Sequence, residues 1–589
     1  MKKIVNRKSI ILFVTILLLC VRMIYLYSIR CSHFIDELYS IGFANSEQMP
    51  FFIYPETDEN GNQYLSHLRM WCDGKELFDY ITVGDGERFN FLNVINNKLQ
   101  DTAPPNYEIM VHFVSSLFPG TFSWAYPFAV NFVFFILSLI LVFLISKDMI
   151  CDSKYSYANA YICMIFFAFS IAGTGAFTFL RMYGVLSFYG LLMLYALHKL
   201  MSYKDVKKEI AYSIVLYMAV FLGLFTHTLY VVFAFWLTLF TCLYLLFNKR
   251  FFESIKRGMV VLASLLTFVV AYPFKYDRVG SWMDVENNNG FSFWTKLIYS
   301  NMHMFGESLG FYIPFTYVHI LIWFGILFML FAVIFAFCFI CRKETWYKTF
   351  KVKTLRKVDE FRKYCSCLLG KLLPINLILF LTALAYMFTV NAITPVNTQY
   401  YVTRYFMIGM FPLIICFVSL VNSAWCSVTS KKKSAACIIS ISLLAILLLN
   451  QNLVFHNPFY FNKPYDNDEN LHELTIDEDV MIIGDRKSSL YCLIVPLRDA
   501  ASFYYGLYTD DLETLTEFPN DSFYLMIDRD CFEGENSRSP LINGLGLSGT
   551  ADDYASRIMM NVPYDCSAER VMDFYSFSGD YAVFKITRL

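Results

Sequence analysis

The chain has 589 residues, of which 57% are hydrophobic, 19% aromatic and only 16% charged. Soluble globular proteins carry about a quarter charged residues, so this composition excludes an ordinary soluble protein and indicates an integral membrane protein. The mean hydropathy of +0.46 agrees with that class. The net charge of −1 gives no sign of a nucleic-acid partner, and none is expected.

The hydrophobic pattern predicts an α-helical polytopic membrane protein. A spanning helix needs about 20 apolar residues, and windows of that size give about eleven candidate spans. They lie at residues 9–28, 126–146, 157–173, 183–200, 211–229, 231–248, 258–274, 315–341, 374–391, 404–424 and 435–455. The first follows a basic segment, is long enough to span, and has no small-residue cleavage site after it. We therefore expect a retained signal anchor rather than a cleaved signal peptide.

Lys and Arg residues cluster in every second connection between the candidate spans. The clusters precede span one and follow spans two, four, six, eight and ten. Short basic connections stay in the cytoplasm, so the pattern predicts a multi-pass protein of the cell membrane with a cytoplasmic N-terminus. Three large extracytoplasmic segments result: residues 29–125, residues 275–314 and a C-terminal tail.

The tail changes composition sharply and predicts a small extracytoplasmic α/β domain at 456–589, beside a transmembrane domain at 1–455. Polar stretches alternate there with β-like runs at Val480 to Gly484, Phe523 to Asp528 and Tyr581 to Ile586. The stretch from Asp552 to Met560 is typical of a helix. A segment of roughly 130 residues is long enough to bury a core of its own.

An adjacent acid pair, Asp36 and Glu37, lies just past the first span. Neighbouring helical side chains point about 100° apart, so we expect separate roles for the two carboxylates. Asp36 suits a general base that accepts the proton of an acceptor hydroxyl, while Glu37 suits orientation of that acceptor or binding of a cation or sugar hydroxyl. The alternative is that both residues simply cap or flank a helix beside the membrane.

Asp101 begins the segment Asp101-Thr-Ala-Pro-Pro-Asn-Tyr107, which precedes an amphipathic stretch typical of an interfacial helix. We expect Asp101 at the mouth of the same cavity as the acid pair, or, alternatively, as the cap of a turn. Arg181 and Arg404 lie at the outer ends of spans. Each is either a bidentate clamp on a phosphate or a snorkelling interface anchor.

His227 is a lone histidine at an outer span end, where a hydrogen-bonded packing role is more typical than catalysis. No second histidine stands at metal-ligand spacing, and the outer cysteines show no CxxC spacing, so no zinc site is predicted. The extracytoplasmic segment at 275–314 is rich in charged residues, and the sequence does not choose among them. They are Lys275, Asp277, Arg278, Asp284, Glu286, His303 and Glu307.

In chain order, these motifs resemble the GT-C superfamily of membrane glycosyltransferases, especially bacterial relatives of protein O-mannosyltransferases and lipid A aminoarabinose transferases. Residues 36–39, Asp-Glu-Leu-Tyr, are similar to the family's acidic pair after span one, and residues 101–107 to its Asp-x-His-Pro-Pro-Leu pattern. Arg181-Met-Tyr183 and Thr226-His227 resemble the family's later aromatic and Thr-His elements. Arg404-Tyr405 resembles the Arg-Tyr pair near the family's last conserved spans.

The resemblance covers roughly residues 9–425 and has departures. Ala103 and Asn106 replace the family's histidine and leucine, and the first outer segment carries an insertion near 43–95. These departures leave the acceptor and the subfamily open.

The resemblance implies a GT-C-like catalytic domain at 1–455 that moves a sugar, as a hexosyltransferase, from a polyprenyl-phosphate donor to an acceptor lipid, glycan or protein. Such transfer serves protein glycosylation or the cell envelope. It implies Asp36 as the base with Glu37 beside it. The implied substrate-binding residues are Asp101, Tyr107, Arg181, Tyr183, His227, Arg404 and Tyr405. Asp36, Asp101 and Arg404 are expected to share a chamber open to the outer leaflet.

The implied reaction inverts the anomeric centre by direct displacement. A phosphate leaving group needs no general acid, so one base and a cationic clamp suffice, unlike the two carboxyl groups of a glycosidase. No cofactor is certain. Asp101 is a candidate to hold either the acceptor or a divalent cation.

Three other classes of protein remain open, of which a purely structural membrane protein is the simplest. A transporter or flippase of lipid-linked sugars also has many spans, but it is expected to show internal repeats and broken helices, and the sequence indicates neither. A polysaccharide polymerase or ligase uses the same class of donor with closely related chemistry.

Overall fold

The computed structural model describes most of the chain outside residues 273–373. The described ranges are 7–30, 33–57, 63–101, 103–150, 155–202, 205–272, 301, 309, 374–393, 403–426, 433–454, 468–484, 486–507, 518–519, 522–529, 550–576 and 579–589. The predicted span at 315–341 and the charged residues between Lys275 and Glu307 lie outside them.

Helices and strands are numbered here in chain order over the described residues. The helices are α1 Arg7–Ser28, α2 Ile35–Asn45, α3 Lys75–Ile81, α4 Phe91–Lys98, α5 Asn106–Ser115, α6 Ala125–Lys147, α7 Ser156–Phe169, α8 Ile171–Thr178, α9 Tyr183–Ser202, α10 Val206–Leu224, α11 Tyr230–Phe247, α12 Phe251–Ala271, α13 Pro374–Ile393, α14 Thr403–Cys426, α15 Lys433–Val454, α16 Asp468–Thr475 and α17 Ala551–Met559. The strands are β1 Pro55–Thr57, β2 Gln63–Leu65, β3 Trp71–Asp73, β4 Asp479–Gly484, β5 Ser502–Leu507, β6 Phe523–Asp528, β7 Cys566–Tyr575 and β8 Asp580–Arg588.

The chain divides into two compact units. The first comprises Met1–Ile24, Phe132–Thr178 and Met182–Pro458, and the second comprises Tyr25–Asn131, Phe179–Arg181 and Phe459–Leu589. The second unit thus joins the first predicted outer segment to the C-terminal tail. The domain limits predicted along the sequence, 1–455 and 456–589, are a different partition and stay a prediction.

Seven helices of the described residues are long and apolar enough to cross a membrane: α1, α6, α9, α11, α12, α13 and α14. The bent pair α7 and α8 makes eight if it counts as one span. These helices confirm a polytopic helical membrane protein. The predicted number of about eleven spans and the sides of the two termini stay predictions.

The span predicted at 157–173 is not one continuous helix. α7 ends at Phe169, α8 starts at Ile171, and the two helices are bent by 58°. Arg22 of α1 donates to the Ala168 carbonyl oxygen at 2.9 Å and to Thr174 Oγ1 at 3.2 Å. The Ile171 amide donates to Gln451 Oε1 at 3.0 Å. Backbone groups released by the break are thereby satisfied inside the protein, as an apolar surrounding requires.

The contacts of Arg22 explain why a charged residue lies inside the first hydrophobic run. Its guanidinium lies 4.2 Å from the centroid of the Phe169 ring, at the C-terminus of α7. The carbonyl end of a helix carries a partial negative charge, so the cation stabilises the point where α7 stops. Arg22 therefore stabilises the break between α7 and α8.

The second unit is built on a six-stranded mixed sheet with strand order β3-β5-β4-β6-β8-β7. Strand β4 runs parallel to β5 and β6, and the other pairs are antiparallel. The three strands and the helix that the sequence predicted in the tail are confirmed as β4, β6, β8 and α17. One edge strand, β3, comes instead from the first outer segment and was not predicted.

Both faces of this sheet are covered. Alternate β4 side chains face opposite sides, so Val480 and Ile482 share a core with Leu38 and Ile41 of α2, whereas Met481 packs in the core that includes α17. The helix that carries the acid pair therefore rests on the sheet built largely from the tail.

A tyrosine after β4 adds a polar contact to this packing. The Tyr491 hydroxyl accepts from the Phe52 amide at 2.9 Å, and its ring centroid lies 4.4 Å from that of Tyr39 of α2.

Replacing Ile482 with Ala should lower the free energy of unfolding of the second unit by about 2–5 kcal/mol, because it opens a cavity in this core. Ile476→Ala is the matched control: Ile476 is 43% exposed, whereas Ile482 is 0% exposed. Thermal unfolding and limited proteolysis of the purified protein measure both variants. Equal behaviour of the two would show that the face of the sheet toward α2 is not a packed core.

Candidate active site

The acid pair lies in the first turn of α2. Phe34 precedes the helix with extended backbone, and its amide donates to Glu37 Oε2 at 2.7 Å. This bond is one half of a capping box, in which an acidic side chain at the third helical position satisfies an amide at the helix start. Glu37 therefore does cap α2. Asp36, the residue before it, is partly exposed, and the helix N-terminus favours its negative charge.

Glu37 is completely buried and is held by three donors. Besides the Phe34 amide, it accepts from the Leu180 amide at 2.6 Å and forms an ion pair with Arg30, whose side chain is 3% exposed. Burying a carboxylate is costly unless it is paired and hydrogen-bonded. These contacts suit a residue that fixes the start of α2 against residues 179–181.

Arg181 is fastened to the same helix. One of its guanidinium nitrogens, Nη1, donates to the Asp36 carbonyl oxygen at 2.8 Å and to Ser40 Oγ at 2.7 Å. The residue is 9% exposed. Arg181 is thus bonded to the backbone of the predicted base itself, 145 residues away in sequence.

The polar network continues from Arg181 to Asp101. Ser40 Oγ donates to Glu108 Oε1 at 3.2 Å, and Lys98 Nζ bonds both Glu108 Oε1 at 3.3 Å and Asp101 Oδ2 at 2.5 Å. Lys98 is 0% exposed and Glu108 1% exposed. Two ends of the predicted site, Asp36 and Asp101, are therefore linked through buried ionic groups.

Tyr107 lies within this charged surrounding and is 0% exposed. Burial raises its pKa well above the ordinary value, and the neighbouring Glu108 charge adds to the effect. The phenol is therefore neutral at physiological pH. Neither its hydroxyl nor Glu108 Oε2 has a hydrogen-bond partner among the described residues, which is uncommon for buried polar atoms.

The sequence did not indicate Arg30, Ser40, Lys98 and Glu108, although all four belong to the network. Charged residues in a polar outer segment are usually solvated, and nothing in the sequence separates these from their neighbours. The one available signal was spacing. Lys98 stands three residues before Asp101, and Glu108 follows the already selected Tyr107.

The remaining predicted residues form a second cluster, in the first unit. The ring centroids of Tyr183, His227 and Tyr405 lie 5.9 to 6.2 Å apart in every pair. Arg404 lies over the Tyr405 ring at 5.0 Å and donates from Nη2 to its hydroxyl at 3.2 Å. His227 Nδ1 accepts the Leu229 amide at 3.0 Å.

The nine predicted site residues thus fall into two groups. The second unit holds Asp36, Glu37, Asp101, Tyr107 and Arg181, and the first unit holds Tyr183, His227, Arg404 and Tyr405. The predicted common chamber stays a prediction.

Asp101 already has a positively charged partner in the protein, and a divalent cation at this residue stays a prediction. The Lys98 ammonium already lies 2.5 Å from its Oδ2 and supplies the positive charge there. Over the residues that the structure describes, no group of three or more His, Cys, Asp or Glu side chains is arranged to hold a metal ion.

No family model and no curated protein match this sequence. Among solved structures, the chain is similar to the crystal structure of ArnT from Cupriavidus metallidurans bound to undecaprenyl phosphate. The two chains are 9% identical, the TM-score is 0.47, and the match covers 98% of this chain and 97% of that chain. The function proposed below therefore depends on the residues and contacts of this chain.

Lys98→Met should lower the free energy of unfolding by about 3–5 kcal/mol, because it leaves the buried Glu108 carboxylate without its cation. Adding Glu108→Gln to this variant should recover part of the loss. The matched control is Lys75→Met, which breaks an ion pair whose side chains are 74% and 58% exposed and should leave stability unchanged. Thermal unfolding of the purified protein in detergent compares the three. Equal losses for Lys98→Met and Lys75→Met would contradict a buried network.

Proposed function

We propose that the protein is a membrane glycosyltransferase that moves a sugar from a polyprenyl-phosphate donor to an acceptor hydroxyl, with inversion of the anomeric centre. One observation carries the proposal: motifs far apart in the sequence meet at a single turn. Leu180 and Arg181 bond Glu37 and Asp36 across separations of 143 and 145 residues. The same network reaches Asp101. A GT-C-like transferase needs such a fixed carboxylate, as the motif resemblance implies.

Asp36 is proposed as the base. Its carboxylate takes the proton of the acceptor hydroxyl while that oxygen bonds to the anomeric carbon. The bond from the anomeric carbon to the phosphate oxygen breaks on the opposite face, and its electron pair leaves with the polyprenyl phosphate. The leaving group is already anionic and stable, so only one proton transfer is needed. Asp36 is the partly exposed member of the pair, as a group that meets a substrate must be.

Glu37 and Arg181 act, on this proposal, as positioning residues. Glu37 uses both oxygens on protein donors, and Arg181 binds the Asp36 carbonyl. Together they hold the backbone of Asp36 at a fixed place, which is how binding geometry contributes to rate. This assignment replaces a direct catalytic role for Glu37.

Arg404 is proposed to bind the phosphate of the donor. It is partly exposed at the start of α14, and a guanidinium is suited to bidentate contact with phosphate oxygens. The Tyr405 ring lies under the guanidinium, and its hydroxyl accepts from Arg404 Nη2. We place this cluster and the acid pair on the extracytoplasmic side, with the N-terminus in the cytoplasm.

The broken span favours a second candidate, a flippase of lipid-linked sugars. Discontinuous helices are common in transporters, and α7 and α8 are bent by 58° at their junction. A polymerase or ligase, by contrast, shares the proposed chemistry and differs only in its acceptor.

Asp36→Asn should reduce sugar transfer about 10²–10⁴-fold, because the amide cannot accept the hydroxyl proton, while donor binding is retained. Release of labelled sugar from a polyprenyl-phosphate donor in membranes measures this. Asp79→Asn, at a carboxylate that is 58% exposed, is the matched control. Unchanged transfer in Asp36→Asn removes Asp36 from the mechanism. Movement of the donor across proteoliposomes, with no transfer by the wild type, would instead identify a flippase.

Arg404→Ala should weaken donor binding by about 1.5–3 kcal/mol, the usual value of a hydrogen bond to a charged group. Arg404→Lys keeps the charge without the two-pronged geometry and should fall between the wild type and Ala. Lys256→Ala, at a side chain that is 58% exposed, controls for loss of a positive charge. Equilibrium binding of the labelled donor to protein in nanodiscs gives the affinities. Equal affinity in Arg404→Ala and the wild type would contradict the phosphate role.

A further inference from the structure

The second unit contains an open groove of about 540 Å³ that the mechanism above does not use. It lies beside the last turn of α1 and the start of α16, and its lining includes Arg30, Phe122, Trp124, Asp468 and Glu469. The volume is in the range of sites for small molecules. Arg30 links the groove to the site, because the same side chain pairs with Glu37.

An aromatic corner forms one part of the lining. The ring of His33 stacks on Trp124 with centroids 3.6 Å apart and planes 3° apart. Phe122 meets Trp124 edge-on, at 5.3 Å and 78°. Both Phe122 and Trp124 are partly exposed. Burial, and secondarily the charge of Arg30, holds the pKa of His33 well below its ordinary range, so the stacked ring is neutral.

Such a corner suits the apolar face of a sugar ring. The C–H groups on one side of a pyranose are weakly positive, and the face of an aromatic ring carries the negative part of its quadrupole. A rigid indole loses little conformational freedom when a ligand stacks on it. The stacked imidazole and the edge-on phenyl ring both restrict Trp124.

The charged lining fits a neutral polyol better than a phosphate. Asp468 and Glu469 open the first turn of α16 and line the groove, and Glu469 is exposed. A carboxylate oxygen is an acceptor for hydroxyl groups. The arginines are bonded to protein groups: Arg30 to Glu37, and Arg498 to the Val495 carbonyl oxygen at 2.8 Å and to His472 at 3.3 Å. The exposed Glu469 carboxylate would repel an anionic headgroup.

We propose that this groove binds a sugar residue of the acceptor, so that the acceptor is a glycan or a glycolipid headgroup rather than an unmodified protein. This inference depends on the proposed transferase function. Trp124 and Phe122 stack on the sugar, and Glu469 accepts from its hydroxyls. The other readings are an aromatic anchor at the membrane interface and a site for a lipid phosphate.

Saturation-transfer NMR on the full chain tests the groove. The protein is placed in phosphatidylcholine nanodiscs without glycoside detergents, whose headgroups would compete. The probes are soluble mono- to trisaccharides of gluco, galacto, manno and N-acetylamino configuration, and farnesyl phosphate. We expect saturation of ring C–H protons, and about tenfold weaker affinity in Trp124→Ala, the loss typical of a central aromatic contact.

Two further variants guard against misfolding and non-specific effects. Glu469→Gln keeps the size of an exposed side chain and should weaken saccharide binding several-fold. Tyr64→Ala removes an aromatic side chain of the same unit that is 39% exposed and outside the groove, and it should bind like the wild type. Failure of every saccharide to bind, or equal binding in Trp124→Ala and Tyr64→Ala, overturns the proposal. Trp124-dependent binding of farnesyl phosphate alone also overturns it, in favour of a lipid phosphate.

Different results would contradict the groove proposal and the transferase proposal. Asp36→Asn should keep saccharide binding, because Asp36 is not among the groove residues. Saccharide binding that depends on Trp124, without sugar transfer by the wild type, would leave the groove standing and end the transferase proposal. Transfer with an unchanged acceptor KM in Trp124→Ala would end the groove proposal alone.

Discussion

The buried carboxylate of Glu37 is the constraint on which the rest of the candidate site depends. A charge with no exposed surface must be matched by donors, and here they come from the residue before α2, from Arg30 and from the Leu180 amide. These three partners lie in different parts of the chain. Satisfying one carboxylate therefore fixes the start of α2, the end of the first span and residues 179–181 together.

The neighbouring buried residues Lys98 and Glu108 also need partners for their charges. Lys98 and Glu108 are both inaccessible and are acceptable there because each pairs with the other, while Ser40 also bonds Glu108 and Asp101 also bonds Lys98. A buried ion pair adds little net stability over an apolar pair of the same shape, yet removing one partner is costly. We infer that this network serves to keep a unique geometry beside Asp36. The apolar side of α2, the helix that carries Asp36 and Glu37, packs against the six-stranded sheet.

In the first unit, the break between α7 and α8 also leaves buried polar groups that need partners. An interrupted helix exposes backbone groups that an apolar surrounding leaves unsatisfied. Arg22 and Gln451 supply partners from two other helices. A cation inside a hydrophobic run, unexplained by hydropathy alone, is the charge that a helix C-terminus favours. In both units, then, a charged side chain bonds backbone groups where a helix begins or ends.

The sequence by itself determined what depends on local pattern. Apolar runs of spanning length predicted the membrane class, and short β-like runs predicted strands β4, β6 and β8, because the burial of a helix or strand depends on consecutive residues. It also selected Asp36, Tyr107 and Arg181. Only the tertiary structure decided that Glu37 is saturated, that Lys98 and Glu108 are buried, and that β3 joins the sheet of the tail. These facts depend on pairing between distant segments, and no local signal distinguishes a buried charge from a solvated one.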